Sequence, residues 1–556
     1  MKGEERIRIV PEPMSLDFTG RWFKFDGFRE FPEFITKEFN LKRGSWEFKE
    51  VKESGIGIRV RENVVEWWGD ERVCCATILQ LLRHRSGYLP EVEVREEFVF
   101  KFRGFHLDIA RGGVPKVSTF KRILRWLFLL KYNYFAIYLE DLFPWKKYPQ
   151  IGAKRGRLTE DELREVIDYG AKLGIEVFPS LELTGHMENI LTLPEFRKYS
   201  EWHRPSEGCL DLSNPEAREF AYELLNEVLD FFPSKYVHIG GDETWALGRG
   251  KSLNKMWKFE GPKLYLKHHT EMVRRVKERG KVPMMWGDML AGMYLRDESE
   301  RKMWSVLLEN EIWKEVVIAN WDYGPKDVEY FVSKVKLFSD RGCAQVVCPG
   351  FNNWNRYYPD FDVAIVNINN FITAAKKVGV LGFLVTAWGD DGEECLFSLL
   401  DPLLLATMEI AEGKGDWEEK WLVLSGESRE VLEVRKAFGK SSVSNYIKGV
   451  LFQPRSELVE LSIFNEWKEV LELARTLRLP KDLAFIRDCL ELGLMKVEGK
   501  GTVSDYLRMA VNYSQLWLEE RKVEGLDRIV RRFWGAAGNL ELERKLEALL
   551  KVMARS

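Results

Sequence analysis

The stretch Lys235-Tyr-Val-His-Ile-Gly-Gly-Asp-Glu-Thr-Trp245 holds the residues with the clearest chemical potential in this chain. It reads as a short strand, two glycines and an adjacent acid pair, Asp242 and Glu243. On a strand, His238, Gly240 and Asp242 share one parity, and Val237 and Ile239 the other. Two carboxylates in one cleft can divide acid and charge-stabilising roles when their environments push their pKa values apart. The glycines leave bare backbone beneath the acids, where a bulky ligand could approach. A Gly-Gly-Asp-Glu string also describes a solvated turn, so its surroundings decide.

Those surroundings are a repeated strand–loop–helix rhythm. From about Phe102 the strands FRGFHLDIA, YNYFAIYLE, IEVFPSLEL, KYVHIGG, VPMMWGD, EVVIANWD, CAQVVCPG and GFLVTAWGD alternate with amphipathic helices such as 159–173, 214–232, 262–279 and 362–378. Eight apolar strands alternating with helices specify an α/β fold, a (β/α)8 TIM barrel. An open doubly wound sheet would bring a phosphate-binding glycine loop, which the sequence lacks. Active sites of such barrels lie at the carboxyl ends of the strands. There the chain carries Asp108 to Arg111, Glu140-Asp141, Glu182 to His186, Asp242-Glu243, Trp286 to Asp288, Trp321-Asp322-Tyr323, Asn352 to Asn355, and Trp388 to Asp391. Trp245, Trp286, Trp321 and Trp388 all fall at strand ends, and aromatic faces suit the axial C–H face of a sugar ring.

Residues 1–98 read as a small N-terminal α+β domain, with strand-like pieces around one helix, Glu71 to His84. Residues 99–412 make the barrel. Residues 413–556 are charge-rich with helical period and read as a C-terminal α-helical domain, packed against the barrel or against a second copy of the chain in a homodimer. With 45% apolar and 31% charged residues, the chain can bury a large core and is not broadly disordered. A net charge of −3 gives no electrostatic case for nucleic acid. No stretch approaches the roughly 20 apolar residues that span a bilayer, so no membrane partner is expected. The charged start MKGEERIRIV lacks the apolar region of a signal peptide. Seven cysteines, an odd number with no close CxxC pair, read as reduced thiols of a cytoplasmic protein and not as a zinc site. With no HExxH either, no metal or organic cofactor is expected. Scarce Gln beside abundant Lys, Arg and Glu resembles the composition of thermostable proteins. His268-His269, in a charged helical stretch, reads as a solvated face. His238 reads equally as a core hydrogen-bonder or a site residue, and Asp288 and Asp391 also fit caps of the helices that follow.

Taken in order, the ATILQLL helix, the strand Phe102 to Arg111, the Gly185-His186 turn and His238 to Glu243 resemble glycoside hydrolase family 20, the β-N-acetylhexosaminidases. The resemblance spans roughly residues 70–410. The stretches YLEDLFPWKKYPQIGAKRGRLT, CPGFNNWNRYYP and LVTAWGDDG look like a divergent branch of that family. It implies a retaining, exo-acting enzyme that removes terminal β-linked GlcNAc or GalNAc from oligosaccharides or glycoconjugates. The substrate's own acetamido oxygen would attack the anomeric carbon, giving an oxazolinium intermediate. In that family's terms, Glu243 would be the general acid, and Asp242 would hold the acetamido N–H and stabilise the developing cation. Arg111 would bind sugar hydroxyls through its forked donors. His186 would sit in a network with an acid after the second strand, Glu140, with Asp141 its neighbour. Trp286, Trp321 and Trp388 would wall the acetamido pocket and the sugar face, and Asp390 would bind the C4 or C6 hydroxyl. The family commonly draws its acetamide-binding tyrosine from strand seven, where this chain reads Phe351-Asn-Asn-Trp354; Tyr323 is the candidate here. The rival readings are a barrel glycosidase acting on β-glucosaminides or unmodified β-glycosides, and a catalytically silent carbohydrate-binding barrel. Intact Asp242, Glu243, Arg111 and His186 argue against silence.

Overall fold

The computed structural model describes residues 6–554 apart from 294, 296, 391 and 456–461. Asp391 and the first five residues of the charged N-terminus therefore lie outside the described residues. The N-terminal strands β1 (Ser15–Lys24), β2 (Glu47–Glu50), β3 (Ile56–Arg61), β4 (Val64–Trp68) and β5 (Tyr88–Glu96) form a sheet in the order β1-β5-β3-β4-β2. Its helix, Glu71–Leu81, starts where the Asp70 carboxylate accepts the N–H groups of Arg72 and Val73, satisfying donors that a helix start leaves unpaired. On that helix Gln80 is wholly buried. Its side chain accepts the Val10 N–H at 2.7 Å and donates to the carbonyls of Val10 at 2.8 Å and Leu129 at 2.7 Å, tying this sheet unit to the barrel.

Eight parallel strands close the barrel among the described residues: β6 (Phe102–Asp108), β7 (Tyr134–Tyr138), β8 (Glu176–Ser180), β9 (Tyr236–His238), β10 (Val282–Trp286), β11 (Val317–Trp321), β12 (Gln345–Cys348) and β13 (Gly382–Ala387), with β13 pairing back onto β6. Side chains of alternate parity fill the interior in layers. At the amino end Phe102 stacks on Tyr134 at 4.1 Å, with Tyr236 edge-on to both at 5.3 Å, and this plug closes the bottom. Nearer the carboxyl end, His106 contacts the rings of Tyr138, Trp286 and Trp388. The barrel therefore has a sealed floor and an accessible mouth at the strand ends.

The residues that sequence reasoning placed on a solvated face, His268 and His269, are fully buried. Their helix, Gly261–Glu278, turns Leu264, Tyr265, His268, His269, Met272, Val273 and Val276 inward, and its charged residues lie on the other side. The two imidazoles sit on the buried stripe of an amphipathic helix. His268 bonds Tyr222 and the Leu183 carbonyl, and His269 stacks on Tyr265 at 3.8 Å. All seven cysteines are buried and unpaired.

From Trp417 onward the chain is helical, and these helices pack on the barrel. The joint includes a buried cation: Lys420 pairs with Glu409 at 2.6 Å and with Glu12 at 2.8 Å, its own side chain and that of Glu409 being almost wholly enclosed. It links the N-terminal segment, the barrel helix Asp401–Glu412 and the helix Trp417–Ser425. Removing one partner of such a pair leaves an uncompensated buried charge. Lys420→Met should therefore lower the unfolding free energy by about 3–5 kcal/mol. Adding Glu409→Gln should recover part of that loss, as read from denaturant unfolding of both variants.

Candidate active site

The acid pair hangs on backbone that only particular residues can supply. After β9 the chain passes through Gly240 at φ +70° and Gly241 at φ +98°, and Glu243 itself adopts φ +49°. A Cβ on Gly240 would stand 2.2 Å from Glu182 Oε2, and one on Gly241 2.6 Å from the Tyr265 hydroxyl. The space beneath the acids thus belongs to Glu182, Tyr265 and His269 and not to a ligand, which corrects the sequence reading of those glycines. His186, also left-handed at φ +49°, brings Nε2 to 3.5 Å from Asp242 Oδ2 and 3.3 Å from Glu243 Oε2. Left-handed non-glycine residues cost energy and persist where the surroundings over-determine them, commonly at functional sites.

Charges here are set by burial and by each other. Burial disfavours the His186 cation, but Asp242 and Glu243 outweigh it and hold the imidazole well above its ordinary pKa. Burial likewise opposes the Asp242 anion, and His186 with a proton from Glu182 keeps it below the usual carboxylate range. Burial and the Asp242 charge push Glu182 well above that range, so it stays protonated and donates to Asp242. Glu182 also accepts the Trp286 indole N–H at 3.1 Å and the Gly241 N–H at 3.2 Å. Glu182 was visible in the sequence only as one of many strand-end acids.

Trp286 is expected from the sequence to wall the pocket. It has no exposed surface and lies under the pocket floor against His238, at 4.3 Å between ring centres, and His106. His238 is a core residue whose Nδ1 accepts the Gly240 N–H at 3.1 Å. Asp288 does not cap a helix: its Oδ2 accepts the Glu243 N–H at 2.9 Å and its Oδ1 the Trp321 indole N–H at 3.2 Å. Trp321, Tyr323 and Trp388 do line the pocket, of about 380 Å³. Trp321 stacks on Tyr323 at 5.1 Å, and the Trp388 indole donates to the Tyr323 hydroxyl at 2.7 Å. Asn353 clasps the Trp388 backbone, accepting its N–H at 3.3 Å and donating to its carbonyl at 2.8 Å. Trp245, one of the four strand-end tryptophans, and Trp354, in the strand-end stretch Asn352 to Asn355, also line the pocket, although the sequence assigns neither a specific role.

Across the mouth, the loops after β6 and β13 supply Arg111 and Asp390. Arg111 donates through Nη1 to Asp390 at 2.6 Å, through Nε to Glu140 at 3.0 Å and through Nη2 to the Tyr138 hydroxyl at 3.3 Å. Asp108 lies 3.7 Å away and is pushed up to about 7 by burial, so Arg111 is more than the partner of Asp108. Glu140 is expected beside His186. It stands within 4.8 Å of that imidazole, but its carboxylate is taken by Arg111, Tyr138 and Asn189, and it does not line the pocket. Its neighbour Asp141 turns away toward Arg155 at 3.5 Å. Two trios, Glu140–His186–Glu188 and His186–Asp242–Glu243, gather potential metal ligands within 4.8 Å. Both depend on His186, whose imidazole would have to lose its proton to serve as a ligand.

The sequence profile of "Glycosyl hydrolase family 20, catalytic domain" matches residues 100–410. The chain is similar to a beta-hexosaminidase of Vibrio furnissii, 33% identical over 203 residues, which are 30% of this chain and 33% of that one. It is similar to human hexosaminidase D, 29% identical over 198 residues, 34% of this chain and 40% of that one. The matched part thus spans well under two thirds of either relative. Among solved structures, the Flavobacterium johnsoniae chitobiase superposes with a TM-score of 0.60 at 17% identity, covering 95% of this chain and 100% of that one. The Bacteroides fragilis beta-N-acetylhexosaminidase gives 0.59 at 20% identity, covering 76% and 96%. These likenesses carry the fold.

The raised His186 pKa has a pH signature. A group whose folded pKa exceeds its unfolded value contributes stability fully below the unfolded value, here 6.5, and loses it as pH rises through the folded pKa. The difference in unfolding free energy between the parent chain and His186→Gln should be greatest near pH 6 and shrink toward alkaline pH. A difference that stays flat from pH 6 to pH 10 would show that the imidazole is not held charged.

Proposed function

The chain belongs to glycosyl hydrolase family 20, and we propose that it is a retaining exo-β-N-acetylhexosaminidase that removes terminal β-linked GlcNAc or GalNAc by substrate-assisted catalysis. The observation that carries this reading is the unequal state of the carboxylates around one small pocket. Asp242 and Glu243 share His186, whereas Asp390, the other carboxylate among the described lining residues, is tied to Arg111 on the opposite side. Most retaining glycosidases supply a carboxylate nucleophile facing the acid, and substrate-assisted families are the exception. An adjacent acid pair on one strand end fits the exception: one group protonates, the other steadies charge, and the sugar's acetamide supplies the attacking oxygen.

Each step then has a residue. Glu243, with about a third of its side chain exposed, gives its proton to the glycosidic oxygen as the bond to the anomeric carbon breaks. The acetamido oxygen bonds to that carbon from the other face. Asp242 accepts the acetamido N–H and lies against the positive charge that grows on the closing ring, and its own charge is preset by His186 and Glu182. Water, deprotonated by the Glu243 carboxylate, opens the oxazolinium and restores the acid. Trp321 and Trp388 offer flat walls, Tyr323 a hydroxyl fixed by Trp388, and Arg111 with Asp390 a donor–acceptor pair for ring hydroxyls. Trp286 acts from beneath, as support for Glu182.

Two measurements test this. Aryl β-N-acetylglucosaminide should be turned over at least about 10²-fold faster than the aryl β-glucoside or β-glucosaminide, because an intramolecular nucleophile is lost with the acetamide. Comparable turnover would remove the mechanism and favour a plain β-glycosidase. Asp242→Asn should lower kcat by about 10²–10³-fold with the fold intact, the cost of removing one preorganised charge-stabilising group. A variant retaining more than about a tenth of kcat would show that Asp242 does not carry that role.

A further inference from the structure

Asp288 follows β10, the strand that pairs with β9, and it is almost fully buried beneath the acid pair. Its two oxygens serve two different walls of the pocket. Oδ2 accepts the backbone N–H of Glu243 at 2.9 Å, and Oδ1 accepts the indole N–H of Trp321 at 3.2 Å. The first bond fixes the peptide at a residue with φ +49°, a left-handed conformation that is strained for a side chain other than glycine. The second fixes the plane of a ring that lines the sugar pocket and stacks on Tyr323.

We infer that Asp288 is a positioning residue that sets the direction of the Glu243 side chain and the stance of Trp321 together, so that the proton donor and the sugar-facing wall keep one mutual geometry. The inference rests on Glu243 being the acid. Its physical basis is that a carboxylate can accept two N–H groups at once, whereas the isosteric amide offers one acceptor oxygen and turns its own N–H2 toward the other donor. Burial and the Asp242 charge push Asp288 up to about 7, and the N–H groups of Glu243 and Trp321 act against that rise by favouring the anion that accepts them both.

A displaced acid matters where a proton is needed and little where it is not. Asp288→Asn should therefore lower kcat/KM on an N-acetylated disaccharide by about 10²-fold, the scale of a misplaced catalytic group. On the nitrophenyl N-acetylglucosaminide, whose leaving group departs with little help, the loss should stay below about tenfold. Asp288→Ser, which keeps one hydroxyl acceptor and adds no amide donor, should show the same contrast. In the Glu243→Ala background, Asp288→Asn should cost the disaccharide little more, because there is no acid left to misplace. All variants are compared at matched thermal stability, with Glu243→Ala as the reference. Contrast in Glu243→Ala together with equal fractional losses on both substrates in Asp288→Asn and Asp288→Ser overturns this inference alone. Absence of contrast in Glu243→Ala overturns the acid assignment and this inference with it.

Discussion

The pairing of Asp242 with the His186 imidazolium is the interaction on which the rest of the site depends. Asp242 is almost fully enclosed, and an isolated carboxylate there would take up a proton to escape the cost of burial. It stays anionic because a cation stands on one side and a protonated carboxyl, Glu182, on the other. Each of those groups needs its own support. Glu182 is fed by the Trp286 indole and the Gly241 amide, and His186 is shared with Glu243. One buried negative charge therefore dictates the identity of several neighbours, including a tryptophan and two glycines.

The same constraint explains where the backbone is unusual. Glu182 can lie against Asp242 only if the chain between them has no Cβ at Gly240, and Gly241 must clear Tyr265 and His269. The left-handed turns at His186 and Glu243 then aim two side chains at one point from different strands. Hydrogen bonds from neighbouring strands, above all that from Glu243 to Asp288, hold these conformations. A site whose electrostatics are preset in this way does not have to reorganise as charge develops in a bound substrate.

The barrel was legible in the sequence because buried parallel strands announce themselves as short apolar runs between helices of regular period. The strand-end acids, His186 and Arg111 were legible for the same reason, since topology fixes which ends of the strands form the mouth. What escaped was height and direction. Trp286 and Trp321 look equivalent in the chain, yet Trp286 pairs with Ala319, two residues before Trp321, so the stagger of the barrel sinks one ring below the floor and leaves the other at the rim. His268 and His269 read as solvated because charged residues surround them in the sequence, yet they lie on the i+3 and i+4 stripe with Tyr265, Met272 and Val276 that faces inward. The parts of Glu182 and Asp288 have no sequence signature, because a buried acceptor and a helix cap use the same residue type.

The hydroxyl-facing end of the pocket poses a different problem, since Arg111 and Asp390 stand on loops beyond the last residues of β6 and β13. The Arg111 guanidinium is held by Asp390, Glu140 and Tyr138, but a loop held only at its ends would leave the backbone that carries it loosely placed. The C-terminal helices supply the missing constraint. Arg528 donates to the Arg111 carbonyl at 3.1 Å, and Lys522 donates its N–H to Val114 at 2.9 Å, bracing the loop after β6. Arg521 donates to the Cys395 carbonyl at 2.6 Å and lies over the Phe397 ring, while Glu394 takes ion pairs from Lys448 and Arg532, bracing the loop after β13. Cations from one helical unit thus grip both loops at the mouth. The position of Arg111 relative to Asp390 follows from how those helices seat on the barrel, which makes roughly the last quarter of the chain part of the pocket's geometry although none of its described residues lines the pocket.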